Sequence, residues 1–176
     1  MDHFMEEVVI QRNRTLQDLP YYLANITMVL FALIGFWMLS SLFTSFSIPI
    51  LVMTVLFGGM AVLLYLKKDT LRTEYEYTFT NGDLDFAQVF NNQKRKNLGT
   101  MRVKNVDTFG PVNSENFRKI VNMPGIVRKN WFLNRSANLY YFYYQKDAKR
   151  TLIVMEPSDE LVQMIKTYLA HGVYHA

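Results

Sequence analysis

The sequence contains no cysteine. Disulfides, thiolate nucleophiles and Cys-ligated zinc or iron–sulfur centres are therefore excluded, and the absence fits a reducing compartment. Charge is also missing, but only locally: no Asp, Glu, Lys or Arg lies between Asp18 and Lys67. Half of all residues are hydrophobic and 19% are charged, yet these averages describe neither side of Lys67. No phosphate-binding loop of the form G-x-x-x-x-G-K-[ST], no G-x-S-x-G nucleophile elbow and no H-E-x-x-H helix occurs. Nothing in the sequence indicates catalysis, and no cofactor is expected.

The uncharged run is too long for one membrane span, which needs about 20 apolar residues. It divides at "SSLFTSFSIP", where serines cluster and Pro49 biases Ile48 away from the helical region. Two spans are expected, Tyr21–Leu42 and Ile48–Leu66, joined by a short turn. The apolar run is too long for a cleaved signal peptide and follows a segment containing Glu6, Glu7 and Asp18. Arg12 and Arg14 precede the first span, Lys67, Lys68 and Arg72 follow the second, and the turn between has no Lys or Arg. By the positive-inside rule both termini are expected in the cytoplasm. Thr54, Gly58 and Gly59 would let the second helix approach a neighbour closely, as ordinary small residues of a hairpin or as a dimer contact. The first 20 residues mix apolar and charged side chains in "FMEEVVIQRN"; periodicity does not decide between a membrane-surface segment and one packed on the soluble domain.

From Glu74 the period becomes two. Tyr75, Tyr77 and Phe79 alternate with polar residues, Asn81-Gly82 gives a strong hairpin signal, and Leu84 and Phe86 resume the apolar face. "NNQKRKN" reads as a polar turn, "LGTMRV" as a third strand and "VDTFGPV" as a fourth. "NSENFRKIV" forms a short helix capped by Asn113 or Ser114 and ended by Pro124-Gly125. "IVRKNWFLN" and the hairpin "NLYYFYYQKDAKRTLIVME" add three strands, whose mostly apolar runs imply burial on both faces or packing on something else. Ser158 then caps a helix with Asp159 and Glu160 in its first turn. Leu161, Met164, Ile165, Tyr168 and Leu169 form one apolar stripe along it, and Gly172 supplies a stop. About seven strands and a covering helix result.

Two spans followed by "YEYTFTNGDLDF", "KRKNLGTMRVKNVDTFGPV" and the terminal helix resemble bacterial membrane-anchored proteins with a pleckstrin-homology-like domain, and the whole layout is similar to a small uncharacterised bacterial family. The resemblance covers about Leu71 to Ala170. It implies an α+β membrane protein: a transmembrane helical hairpin, then a curved sheet or barrel capped by the C-terminal amphipathic helix, with a binding or assembly role. The division expected is residues 1–20 as a cytoplasmic or interfacial segment, 21–66 as the hairpin, 71–171 as the globular domain and 172–176 as a tail. Phosphoinositide-binding members of the fold carry basic residues around a long first hairpin loop. Here the loop is the tight "TNGD", so no such site is carried over.

Asp83 and Asp85 form a D-x-D, read as a solvated strand face rather than a metal site. His171 and His175 flank a glycine and are read as a tail rather than as ligands. From Lys67 onward there are 17 Lys and Arg against 11 Asp and Glu, about +6. For a tethered domain the nearest large anion is the lipid surface. Lys94, Arg95, Lys96, Lys67 and Lys68 are the candidate contacts for anionic lipid or a partner, set against a merely solvated basic face. No groove-reading motif points to nucleic acid. The function expected is a non-enzymatic, multi-pass membrane-anchored binding or scaffold module at the cytoplasmic face. It would engage the bilayer and a membrane protein partner; the alternative is an accessory subunit of a larger membrane complex. Homo-oligomerisation stays open.

Overall fold

The computed structural model describes residues 3–175. The chain forms two units: Asn13–Thr73, and a second built from the residues through Arg12 together with those from Glu74 onward.

The first unit is a helical hairpin, α1 (Thr15–Thr44) and α2 (Ile48–Lys67). Both helices are long and apolar enough to cross a membrane; at 1.5 Å per residue α2 alone reaches about 30 Å. Pro49 occupies the first turn of α2, where its missing N–H removes no helical hydrogen bond. The helices approach most closely where Gly35 meets Gly58: a Cβ on Gly35 would lie 3.2 Å from the Gly58 backbone nitrogen. Phe31 and Phe57 pack edge to face beside this crossing, 5.5 Å between centroids. The small residue that this approach requires is Gly35, since a Cβ on Gly58 or Gly59 would meet nothing within 4 Å, and Thr54 spends its hydroxyl on the Ile50 carbonyl at 2.8 Å. Elsewhere the apolar side chains point outward; Phe36 is 70% and Trp37 72% exposed.

The second unit contains two four-stranded sheets. The seven strands expected after the hairpin are all present, and an eighth precedes it. β1 (Phe4–Val9) pairs antiparallel with β2 (Thr73–Thr80), Phe4 opposite Thr80 and Val9 opposite Tyr75. β3 (Asp83–Phe90) and β4 (Lys94–Arg102) complete a sheet in the order β1-β2-β3-β4. The second sheet runs β5-β7-β8-β6, from β5 (Thr108–Pro111), β6 (Val127–Trp131), β7 (Tyr140–Lys146) and β8 (Lys149–Met155). β6 lies parallel to β8 and the other pairs are antiparallel. The open choice for the N-terminal segment is thereby resolved for Phe4–Val9, which is part of a sheet.

Turn chemistry sets the hairpins. Asn81-Gly82, Asn91-Asn92 and Asp147-Ala148 all have positive φ at both positions, as type I′ turns require. The "KRK" read as part of a turn instead opens β4, because Asn91, Asn92 and Gln93 suffice to reverse the chain and Phe90 already pairs with Lys94. A register shift between Phe86 and Ala87 places Gly99 opposite one and Asn97 opposite the other, so Leu98 is an extra residue that bends β4.

The main core lies between the sheets and under α4 (Asp159–Tyr168). Tyr77, Phe79, Leu84, Phe86, Phe109, Phe142, Ile153 and Met155 meet Leu161, Val162 and Ile165 there. Ser158 caps α4 by accepting the Leu161 N–H at 3.2 Å. The second sheet is also covered behind: Ile120 of α3 (Glu115–Val121) packs with Tyr141, Leu152 and Val154. This is why β8 is apolar on both faces. Of the two caps considered for α3, Ser114 acts, accepting the Phe117 N–H at 3.3 Å.

The residues after Gly172 run against β5. Phe109 donates its N–H to the Val173 carbonyl at 3.0 Å, and His175 donates to the Phe109 carbonyl at 2.9 Å. A Cβ on Gly110 would lie 2.1 Å from the His175 carbonyl oxygen, so only glycine lets this segment pass.

Candidate functional site

A groove of about 370 Å³ opens beside β1, lined by Glu7–Ile10, Arg12, Asn134, Ala137, Asn138 and residues 156–159. Its floor is a polar network that no sequence pattern announces. Asn134, although buried, bonds through its side chain to three residues on two segments. Its Oδ1 accepts the Arg12 N–H at 2.8 Å, and its Nδ2 donates to the Ile10 carbonyl at 2.9 Å and to Glu156 Oε1 at 2.8 Å. Glu156 Oε2 accepts the N–H groups of Leu133 and Asn134. The Tyr77 hydroxyl accepts the Glu156 N–H and donates to the Trp131 carbonyl. Burial holds that phenol far above its ordinary range, so it remains a donor.

Glu7 comes from β1 and reaches α4: its carboxylate oxygens accept the Ser158 N–H at 2.9 and 3.0 Å. Burial raises its pKa above the usual carboxylate value, the Ser158 bonds oppose this, and the nearby charge of Glu156 adds to the rise. A raised pKa in the folded state means that ionisation costs stability: the contribution is full below the unfolded value and is lost as pH rises through the folded value. Glu7→Gln cannot ionise. Its melting temperature relative to the parent should therefore climb as pH rises from about 4 to about 7. Thermal melts of the full chain in detergent across that range are the measurement; a constant difference would refute the account.

The basic residues singled out from the sequence fall in two places. Lys94, Arg95 and Lys96 are exposed at the start of β4, an edge strand. Arg95 is paired with Glu76 at 2.8 Å, so this cluster is less positive than its sequence suggests. Lys67 is exposed in the last turn of α2. Lys68 follows it, with Nζ 3.0 Å from Asn25 Oδ1 and 5.7 Å from the ring centres of both Tyr21 and Tyr65. Arg72 joins the same end of the hairpin, bridging to Asp18 at 2.8 Å and lying 4.0 Å over the Tyr21 ring. Aromatic rings and cations thus form a girdle at the charged end of both helices, as interfacial side chains do.

The remaining motifs have structural uses. Asp83 pairs with Arg102 at 2.9 Å and Asp85 accepts from Thr100, both across β3 and β4. His3 contacts the Tyr168 hydroxyl at 3.0 Å, and its backbone N–H donates to Asn81 Oδ1 at 2.9 Å.

Two sheets, one closed by a C-terminal helix across its open end, define a PH-like domain. The chain belongs to the bacterial PH-like domain family (DUF6106), whose family model matches residues 1–175, taking in the hairpin and the globular unit alike. No curated protein and no solved structure matches it.

Proposed function

We propose that the chain is a non-enzymatic, membrane-anchored binding module, tethered by α1 and α2 at the cytoplasmic face, whose PH-like unit engages a membrane protein partner or anionic lipid headgroups. The observation that carries this reading is the insertion of an outward-facing apolar hairpin between two paired strands. The pairing of β1 with β2 in one sheet supports a topology in which the segments flanking the hairpin lie on the same side of the bilayer. The hairpin therefore crosses it an even number of times. The basic residues flanking the hairpin support the cytoplasm as that side. Lys67 and Lys68 are then the hairpin's candidates for headgroup contact, and Lys94 and Lys96 those of the globular unit. Each basic residue close to anionic lipid contributes on the order of 1 kcal/mol.

Reporter fusions test this. A reporter active only outside the cytoplasm should be silent when fused after Ala176 and active when inserted near Ser45. The opposite pattern would end the inside-facing reading and the lipid argument with it.

A further inference from the structure

We infer that the free edge of β1, beside the groove, docks an extended lysine- or arginine-bearing segment of a partner protein, which adds there as a further strand. The inference rests on the binding-module reading and supplies the chemistry of the partner.

Among the described residues the hydrogen-bond pattern leaves the edge open. Asn81 donates its N–H to the His3 carbonyl at 2.9 Å. With Phe4 opposite Thr80, bonding to β2 then alternates, using Met5, Glu7 and Val9. The N–H and C=O groups of Phe4, Glu6 and Val8 accordingly point away from β2. The next outward position, Ile10, is already satisfied: the side-chain amide of Asn134 gives a donor to its carbonyl and an acceptor to the Arg12 N–H. One side chain thus supplies what a neighbouring strand would, and the ladder stops there.

The other three sheet edges are guarded. β4 opens with Lys94-Arg95-Lys96 and carries the bulge at Leu98. β5 is covered by residues 173–175. β6 presents Arg128 and Lys129. Lysines, bulges and covering segments are the usual devices against unwanted strand pairing. β1 differs: among the described residues it has no bulge and no covering segment, no Lys, Arg or Pro occurs from Phe4 to Ile10, and its only charges are the acids Glu6 and Glu7. Its outward side chains are Phe4 at 61%, Val8 at 47% and Ile10 at 40% exposed, with Glu6 between them. An edge whose only charges are acidic, on a chain that guards its other edges with cations or a covering segment, is suited to a basic partner strand, for which main-chain bonds give affinity and alternate side chains give specificity.

Charge selects the occupant. Glu6 on the strand and Asp159 in the groove are exposed acids; Glu7 and Glu156, whose carboxylates already accept internal N–H groups, line the groove as well, against one cation, Arg12. This acidic strip lies on a globular unit with an excess of basic residues. A second copy pairing antiparallel through β1 would bring like charges of Glu6 and Glu7 together, which destabilises cross-strand pairs. Anionic lipid would be repelled. An extended segment with alternating cations and apolar residues meets both the acids and the exposed apolar side chains.

The test uses the full chain in neutral detergent and two fluorescein-labelled probes, a short alternating lysine–valine peptide and its glutamate–valine counterpart. Fluorescence anisotropy should show binding of the basic peptide and not of the acidic one. Glu6→Lys introduces the guard found on β4 and should weaken binding roughly tenfold or more. Val8→Pro removes one outward donor while leaving the inward ladder, and should weaken binding comparably with the sheet intact; thermal melting verifies that both variants fold. Equal binding of the two peptides, or undiminished binding by a folded Glu6→Lys, would overturn the inference. So would a parent that is dimeric by light scattering and becomes monomeric on Val8→Pro, since the occupant would then be a second copy. The peptide assay is independent of membrane orientation. Failure here with the expected reporter pattern would remove the docking site alone, and a reversed reporter pattern would remove the membrane reading alone.

Discussion

Ile165→Asp should abolish the folded globular unit. Ile165 is fully buried on α4 and packs within the cluster that holds Tyr77, Phe79, Phe109 and Met155. Losing an isoleucine there removes about 1.5–3 kcal/mol of apolar burial. The carboxylate adds a desolvation penalty of at least several kcal/mol, with no cation in the cluster to offset it. The sum approaches the total stability of a typical domain, about 5–15 kcal/mol. Gln163→Asp on the exposed side of the same helix should change the melting temperature little. Near-ultraviolet circular dichroism and limited proteolysis of the full chain in detergent distinguish the two variants. Parent-like melting of Ile165→Asp would mean that α4 does not close the core.

The second large effect concerns β1. A chain beginning at Glu74 should aggregate, whereas residues 1–12 joined to residues 74–176 through a short glycine-containing turn should be soluble, monomeric and cooperative in unfolding. The joined form is feasible because Val9 and Tyr75 are already opposite each other. The truncated form loses buried Val9 and the partly buried Met5 from the core. It also strips acceptors from the Ser158 N–H and partners from the Asn134 amide; each unsatisfied buried polar group costs about 1–3 kcal/mol. The edge of β2 would lie bare, an invitation to intermolecular pairing. Expression as soluble protein and amide dispersion in nuclear magnetic resonance spectra are the measurements. Equal stability of the two forms would show that β1 is ornamental to the fold.

Why the sequence betrays some of this and conceals the rest has a physical basis. The hairpin is legible because no Asp, Glu, Lys or Arg lies between Asp18 and Lys67, a run too long for one apolar helix and broken by Pro49. The turn at Asn81-Gly82 and the cap at Ser158 are local chemistry, readable from a few neighbouring residues. The continuous apolar run of β8 is legible as double burial, which α3 provides. β1 is different. Its inward face is Met5, Glu7 and Val9, and its outward face Phe4, Glu6 and Val8, so each face has two apolar residues and one acid. A period-two pattern cancels. Its partner strand follows only after the two apolar helices, so nothing local signals the pairing. The start of β4 is hidden for a related reason: Lys94, Arg95, Lys96 and Asn97 are all exposed, so no face is marked. Asn134 is ordinary in "LNRSAN", and its role depends on backbone groups of Ile10 and Arg12 brought from the other end of the chain.

The interruption of the sheet by the hairpin has a consequence for synthesis. β1 leaves the ribosome first and has no strand to join until both apolar helices and then β2 have emerged. If only one helix were threaded through a bilayer, β1 and β2 would be stranded in different compartments, and no rearrangement within the globular unit could reunite them. On the membrane-anchored reading, completion of the sheet would report on insertion: a chain with both helices threaded could close its fold, while a misthreaded one would keep a raw strand edge and an open core.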